Sequence, residues 1–176
     1  MRFTVTASRI VIVEPHKGGL AVMARRLSEA GYRVVTCSTA SDAVSELHRA
    51  PAALLLAELR MASMSGIDLT RLVRDDNALS DLPVILINGR LDRAGTCEAL
   101  AAGADDIVTK PFDFDVLMAK IARAIARSRS MLELRQDNAT LDARVITRAI
   151  ELGEAKAALY ASEAERHRSA SLTQAD

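Results

Sequence analysis

The sequence predicts an α/β protein: a doubly wound, five-stranded parallel sheet followed by a long C-terminal α-helix that forms a coiled coil. Three observations carry this reading. Five short apolar runs are each followed by a segment with apolar residues at helical spacing. The runs are continuous rather than alternating with polar residues, as in strands covered by helices on both faces. After Pro111 the helical pattern continues without another proline, and from Met131 it acquires a seven-residue repeat.

The first unit is IVIV, ending at Glu14-Pro15, followed by GLAVMARRLSEAG, which stops at a glycine as helices commonly do. YRVVTC leads into the helix SDAVSELHRA, and AALLLA into GIDLTRLVRD. VILI is followed by TCEALAAG, and DIV by a helix that begins after Pro111. Five β-α units in succession favour parallel strands, because each helix carries the chain back to the end of the sheet at which the previous strand began.

At 176 residues the chain accommodates one domain of ordinary size plus an appendage, since domains cluster at roughly 100–150 residues. Lys+Arg and Asp+Glu are both 23, so no global field favours nucleic acid or an anionic membrane, and neither is expected as a partner. The apolar run at residues 10–13 is too short for a signal-peptide core or a membrane span, and a cytoplasmic location is expected. Cys37 and Cys97 show no metal or redox spacing and are expected to be reduced thiols in or near the core. Lys17-Gly18-Gly19 lacks the spacing of a phosphate loop, and His16, His48 and His167 have no partner at ligand spacing. No nucleophile and base stand in a recognisable constellation, so a non-enzymatic protein is expected.

In a doubly wound sheet the functional crevice lies outside the carboxyl ends of the strands. The residues at those ends are Glu14 and Pro15, Glu58, Asn88 and Lys110. The strings that surround them, ELRMASMSGIDL, LPVILINGR and GADDIVTKPF, stand in order at the spacing of a known family. Residues 1–127 resemble the response-regulator receiver domain of bacterial two-component signalling. The resemblance implies a flavodoxin-like sheet of order 2-1-3-4-5. It also implies a pocket in which two adjacent acids after the first strand, and an aspartate after the third, hold Mg²⁺. In the family that aspartate takes a phosphoryl group from a histidine kinase, while a Ser or Thr after the fourth strand and a lysine after the fifth bind its oxygens. The implied partner is another signalling protein, a histidine kinase or an output domain.

Several positions depart from that pattern. Glu14 matches the first acid, but Pro15 stands where the second would, and proline offers a hard cation no side-chain oxygen. Glu58 replaces the phosphoacceptor and carries its carboxylate about 1.5 Å further out. Asn88 replaces the hydroxyl, Ile107 stands at the position of the aromatic switch, and Ala62 replaces the proline of the Met-Pro turn. Misplacement by about 1 Å costs in-line transfer about a hundredfold, so this pseudo-receiver is expected not to be phosphorylated. No cofactor is expected, and Mg²⁺ binding is expected to be weak or absent: two carboxylates against Lys110 leave one net negative charge. Two readings of Glu58 stay open. It is a permanent charge partner of Lys110, standing in for a phosphoryl group, or it is a solvated relic of an old site.

The tail, residues 128–168, reads as an extended helix, with residues 169–176 as a disordered end. Met131, Asn138, Val145, Leu152 and Leu159 recur at one heptad position, and Leu134, Leu141, Arg148, Ala155 and Ser162 three residues later. A parallel homodimer through Met131, Leu134, Asn138, Leu141, Val145, Leu152 and Leu159 is expected, with Asn138 fixing register. The competing reading folds this helix back on its own receiver. The tail also resembles linker helices that join receivers to histidine kinase or cyclic-di-GMP enzyme domains. The function expected first is a signalling adaptor acting through dimerisation and partner binding. The alternatives are the regulatory front end of a larger signalling enzyme and a working phosphoreceiver that uses Glu58.

Overall fold

The computed structural model describes residues 8–89 and 92–173, with side chains described through residue 164. Ten elements alternate strictly: β1 (Arg9–Val13), α1 (Lys17–Glu29), β2 (Arg33–Cys37), α2 (Ala40–Arg49), β3 (Leu54–Glu58), α3 (Gly66–Asp75), β4 (Val84–Asn88), α4 (Arg93–Ala101), β5 (Asp106–Thr109) and α5 (Phe114–Thr173). The strands pair in parallel in the order β2-β1-β3-β4-β5. The doubly wound fold and its strand order are therefore those expected.

Successive strand residues point to opposite faces, and the core divides accordingly. Ile10, Ile12, Leu54, Leu56, Ile85 and Ile87 pack with Met23 and Leu27 of α1 and with Leu117, Ile121 and Ile125 of α5. Their strand neighbours Val11, Val13, Leu55, Ala57, Val84 and Leu86 pack on the other face with α2, α3 and α4. Burial on both faces is why β1, β3 and β4 read as unbroken apolar runs. β2 lies at the sheet edge, and its first four residues are exposed or half-buried.

Helix boundaries follow local chemistry. Ser65 and Asp68 form a reciprocal capping box that starts α3, and the Thr39 hydroxyl accepts the Asp42 N–H at 3.1 Å at the start of α2. Asp92 accepts the Gly95 N–H at 3.0 Å, so α4 begins three residues before the expected Thr96. Gly31, at φ 89°, ends α1 in a conformation that side chains rarely adopt.

Gly66 has a steric reason: a Cβ there would lie 2.5 Å from the Glu58 carbonyl oxygen and 3.1 Å from Leu59 Cα. Gly66→Ala is expected to cost about 1–3 kcal/mol through overpacking against backbone, measured as a lower urea midpoint at unchanged m-value.

The chain divides after Arg129, two residues beyond the expected boundary at 127. Arg129 is tied to the first unit by a 2.6 Å hydrogen bond from Nη2 to Ser8 Oγ. The second unit is the C-terminal part of α5. It runs helically to Thr173, so residues 169–173 are helical rather than the disordered end expected, while 174–176 lie outside the described residues. Within it Met131, Leu134, Leu141, Val145, Leu152 and Leu159 are between 49% and 67% exposed. One expectation about the core is corrected: Cys37 is buried, but Cys97 on α4 is exposed, and both are free thiols. Burial pushes the Cys37 thiol up to about 11. Among the described residues no helix is long and apolar enough to cross a membrane.

Candidate functional site

The sheet topology brings three chain-distant strand ends together. β1 is flanked by β2 and β3, so the strand order reverses there, and the crevice at the carboxyl ends opens beside it. Glu14 follows β1 directly, Glu58 is the last residue of β3, and Lys110 follows β5. Lys110 lies 96 positions from Glu14 and 52 from Glu58.

The Lys110 ammonium donates to Glu14 Oε2 at 2.7 Å and to Glu58 Oε2 at 2.6 Å. The two carboxylates are 1% and 10% exposed, and the lysine side chain 37%. One cation thus bridges two largely dry anions. Glu14 is engaged at both oxygens, since Oε1 accepts the His16 backbone N–H at 3.0 Å and lies 3.1 Å from the His16 ring Nδ1. Pro15, exposed, forms the bend between Glu14 and His16.

The three charges are perturbed in different directions. Burial raises Glu14, but hydrogen bonds from Lys110 and His16 outweigh it, and the carboxyl lies below its ordinary range. Glu58 lies above its ordinary range, because burial, aided by the negative charge of Glu14, outweighs the pull of Lys110. Burial lowers Lys110, yet its two carboxylate partners hold the ammonium above the usual lysine value. The trio carries one net negative charge when ionised, and Glu58 is the member that most readily takes a proton.

Asn88 ends β4 and is buried; its carbonyl accepts the Lys110 N–H at 2.8 Å and so helps to place the lysine. The Lys110–Pro111 peptide is cis. Ile107 lies opposite Leu86 in the β4–β5 register and packs, half-buried, against the core cluster under α2, α3 and α4. Sequence reading missed four contributors. His16 fastens Glu14; a Cβ on Gly89 would lie 3.5 Å from Glu58 Oε1, and one on Gly19 3.5 Å from the Glu14 carboxylate. Arg60, two residues after Glu58, pairs with Asp92 at the start of α4 and ties the β3–α3 loop to that helix. The capping pattern around Asp92 was available in the sequence; the glycines and Arg60 carried no periodic signal.

The geometry can be set beside known proteins. The Response regulator receiver domain family matches residues 10–122. The transcriptional regulatory protein KdpE of Mycobacterium tuberculosis is 32% identical over 127 residues, which are 72% of this chain and 55% of that protein. The response regulator PleD of Caulobacter vibrioides is 28% identical over 135 residues, 76% of this chain and 30% of PleD. The chain therefore spans about half, or less, of the length of these relatives. Among solved structures, the receiver domain of a signal transduction histidine kinase from Syntrophus aciditrophicus superposes with a TM-score of 0.64 at 29% identity, covering 68% of this chain and 91% of that one. With the family model spanning residues 10–122, the strand order and the crevice at the ends of β1, β3 and β5 in agreement, the chain belongs to the response regulator receiver domain family.

Proposed function

We propose that this chain is a pseudo-receiver: a non-enzymatic signalling protein that is not phosphorylated, self-associates through its C-terminal helix and acts by binding another signalling protein. The observation that carries this reading is the double ion pair of Lys110 with Glu14 and Glu58. The lysine is held by carboxylates on both sides, where a phosphoryl group would need it free. Glu58 is correspondingly engaged, and its carboxylate serves as a fixed anion beside Lys110 rather than as a nucleophile.

The donor set does not suit Mg²⁺. A magnesium ion demands near-octahedral oxygen ligands, and here the two carboxylates already hold an ammonium between them while Pro15 contributes no side-chain oxygen. The Lys110 ammonium occupies the electrostatic role a divalent cation would otherwise fill.

The tail supplies the association. Six of its seam residues are about half exposed or more in the single chain, and such a seam gains stability only against a partner. A second reading, the regulatory unit of a longer signalling protein, is favoured by the relatives, which extend well beyond the matched region.

The test is incubation with Mg²⁺ and acetyl phosphate followed by intact mass. The expected result is no added mass. A stable gain of one phosphoryl group that Glu58→Gln abolishes means that Glu58 is a working acceptor and the proposal is wrong.

A further inference from the structure

The C-terminal helix carries a second apolar stripe that the dimer seam does not use. With Met131 at heptad position a, Leu132, Ile146 and Tyr160 fall at b and Ile150 at f, and all four are 53% to 67% exposed. Between them the b and f positions hold Gln136 and the small residues Ala139, Ala143, Gly153 and Ala157. At 100° per residue this stripe is centred about 150° from the a/d seam, so one helix can present both at once. Gly153 has no steric reason within its own chain, because a Cβ there would meet nothing within 4 Å. A glycine in mid-helix weakens it relative to alanine, and close approach of a neighbouring helix is a reason to keep one.

The charges beside the stripe say which neighbour fits. Two copies laid antiparallel about a dyad near residue 148 pair like with like at the centre, Ile146 with Ile150, Ala143 with Gly153 and Ala139 with Ala157, and bring Tyr160 against Gln136 and Leu132 against Ala164 at the ends. In that register the flanking e positions face one another across the dyad. Asp142 meets Lys156, Arg135 meets Glu163, and Ala149 meets itself, each charged pair occurring twice. The other flank brings together Glu133 with Ala161, Thr140 with Glu154, and Thr147 with Thr147, with no like charges opposed. A parallel, in-register pairing of the same stripe instead sets Asp142 against Thr147 and Arg135 against Thr140. Across the parallel a/d seam Asp142 faces the like charge Asp137, while Lys156 faces Glu151.

We infer that the b/f stripe is a second self-association surface, whose occupant is the same stripe of another copy of this chain in antiparallel orientation. It goes beyond the a/d dimer, and the two contacts together build an assembly larger than a dimer.

The full chain carrying Leu134→Asp with Leu141→Asp, which removes the a/d seam, is expected to sediment as a dimer. In that background Asp142→Lys sets lysine against lysine twice and is expected to weaken association about tenfold. Adding Lys156→Asp is expected to restore it. Residues 142 and 156 are four turns apart on one helix, and neither has a charged residue three or four positions away, so rescue reports contact between chains. A monomeric Leu134→Asp/Leu141→Asp chain with its helix intact by circular dichroism overturns the inference and leaves the a/d dimer standing; a dimer without charge-swap rescue overturns the antiparallel orientation. Ile146→Glu with Ile150→Glu is expected to leave a dimer held by the a/d seam, and a monomer there removes the a/d reading instead. Should the aspartates melt the helix, Ala149→Cys in a Cys97→Ser chain gives an independent answer. The dyad brings the two copies of residue 149 together, so a short bis-maleimide is expected to join them, and no cross-link overturns the pairing.

Discussion

Removing residues 131–176 is expected to leave a folded monomer, and the full chain is expected to sediment above monomer mass. The receiver core does not draw on the tail, since among the described residues the buried side chains of α5 end at Ile125, and Arg129, within the first unit, bonds Ser8. The tail contributes the exposed side chains: Leu134 is 58% exposed, Leu141 54%, Leu152 57% and Val145 67%. Burying one such side chain fully is worth about 1.5–3 kcal/mol. Losing even two of them lowers self-affinity at least about a hundredfold. Sedimentation equilibrium of the truncated and full chains measures this directly. Asn138→Leu in the full chain is expected to raise stability while broadening oligomer number, because a buried amide at an a position selects register at a cost in stability. A truncated chain that still dimerises places the interface on the globular unit and removes the tail from the proposal.

Lys110→Met is expected to lower the unfolding free energy by about 1–3 kcal/mol at neutral pH, seen as a drop of several degrees in Tm. The variant leaves two carboxylates, 1% and 10% exposed, facing one another without a cation. A fully buried pair would cost about 3–5 kcal/mol, and the 37% exposure of the lysine argues for the lower range, since solvent already screens it. The pH dependence has a definite sign. In the native protein the folded Lys110 pKa is raised, so its stabilisation is present below the ordinary value of 10.5 and is lost as pH climbs through the folded pKa. Glu14 is lowered, so its contribution is present above 4.5 and is lost as pH falls through its folded pKa. Glu58 is raised and opposes folding when ionised, an effect relieved by acidification. Without Lys110 both carboxyls are expected to move up. The gap between variant and native protein should therefore narrow as pH falls from 7 towards 4. Equal midpoints for Lys110→Met and the native chain across that range mean that the pocket is solvated and Glu58 is a relic.

How legible this molecule was depends on the range of the interaction concerned. α3 matches its expected span, residues 66–75, because its apolar spacing and its capping box are both local. α4 begins earlier than its pattern because the Asp92 cap, three residues before Gly95, outweighed weak amphipathicity. The apolar run of β2 did not reveal that the strand is an edge, nor did the sequence around Cys97 reveal its exposure; both depend on which neighbours the sheet supplies. Arg74 shows the same limit. It donates to the carbonyls of Gly103, Ser80 and Leu82 and pairs with Asp105, closing the α3, α4 and β5 corner through contacts no periodicity encodes.

The alternation of strands and helices, and with it the carboxyl-end crevice and the residues that border it, was legible from hydrophobic patterning. Hydrophobic period is a local property, and the doubly wound rule converts it into a site. Only the tertiary structure decided that one ammonium sits between Glu14 and Glu58, that His16 holds the far oxygen of Glu14, and that Glu58 is pushed up while Glu14 is held down. Coulombic attraction and desolvation depend on separations of a few ångströms and on burial, and residues 96 and 52 positions apart acquire those only once the register of β1, β3 and β5 is set.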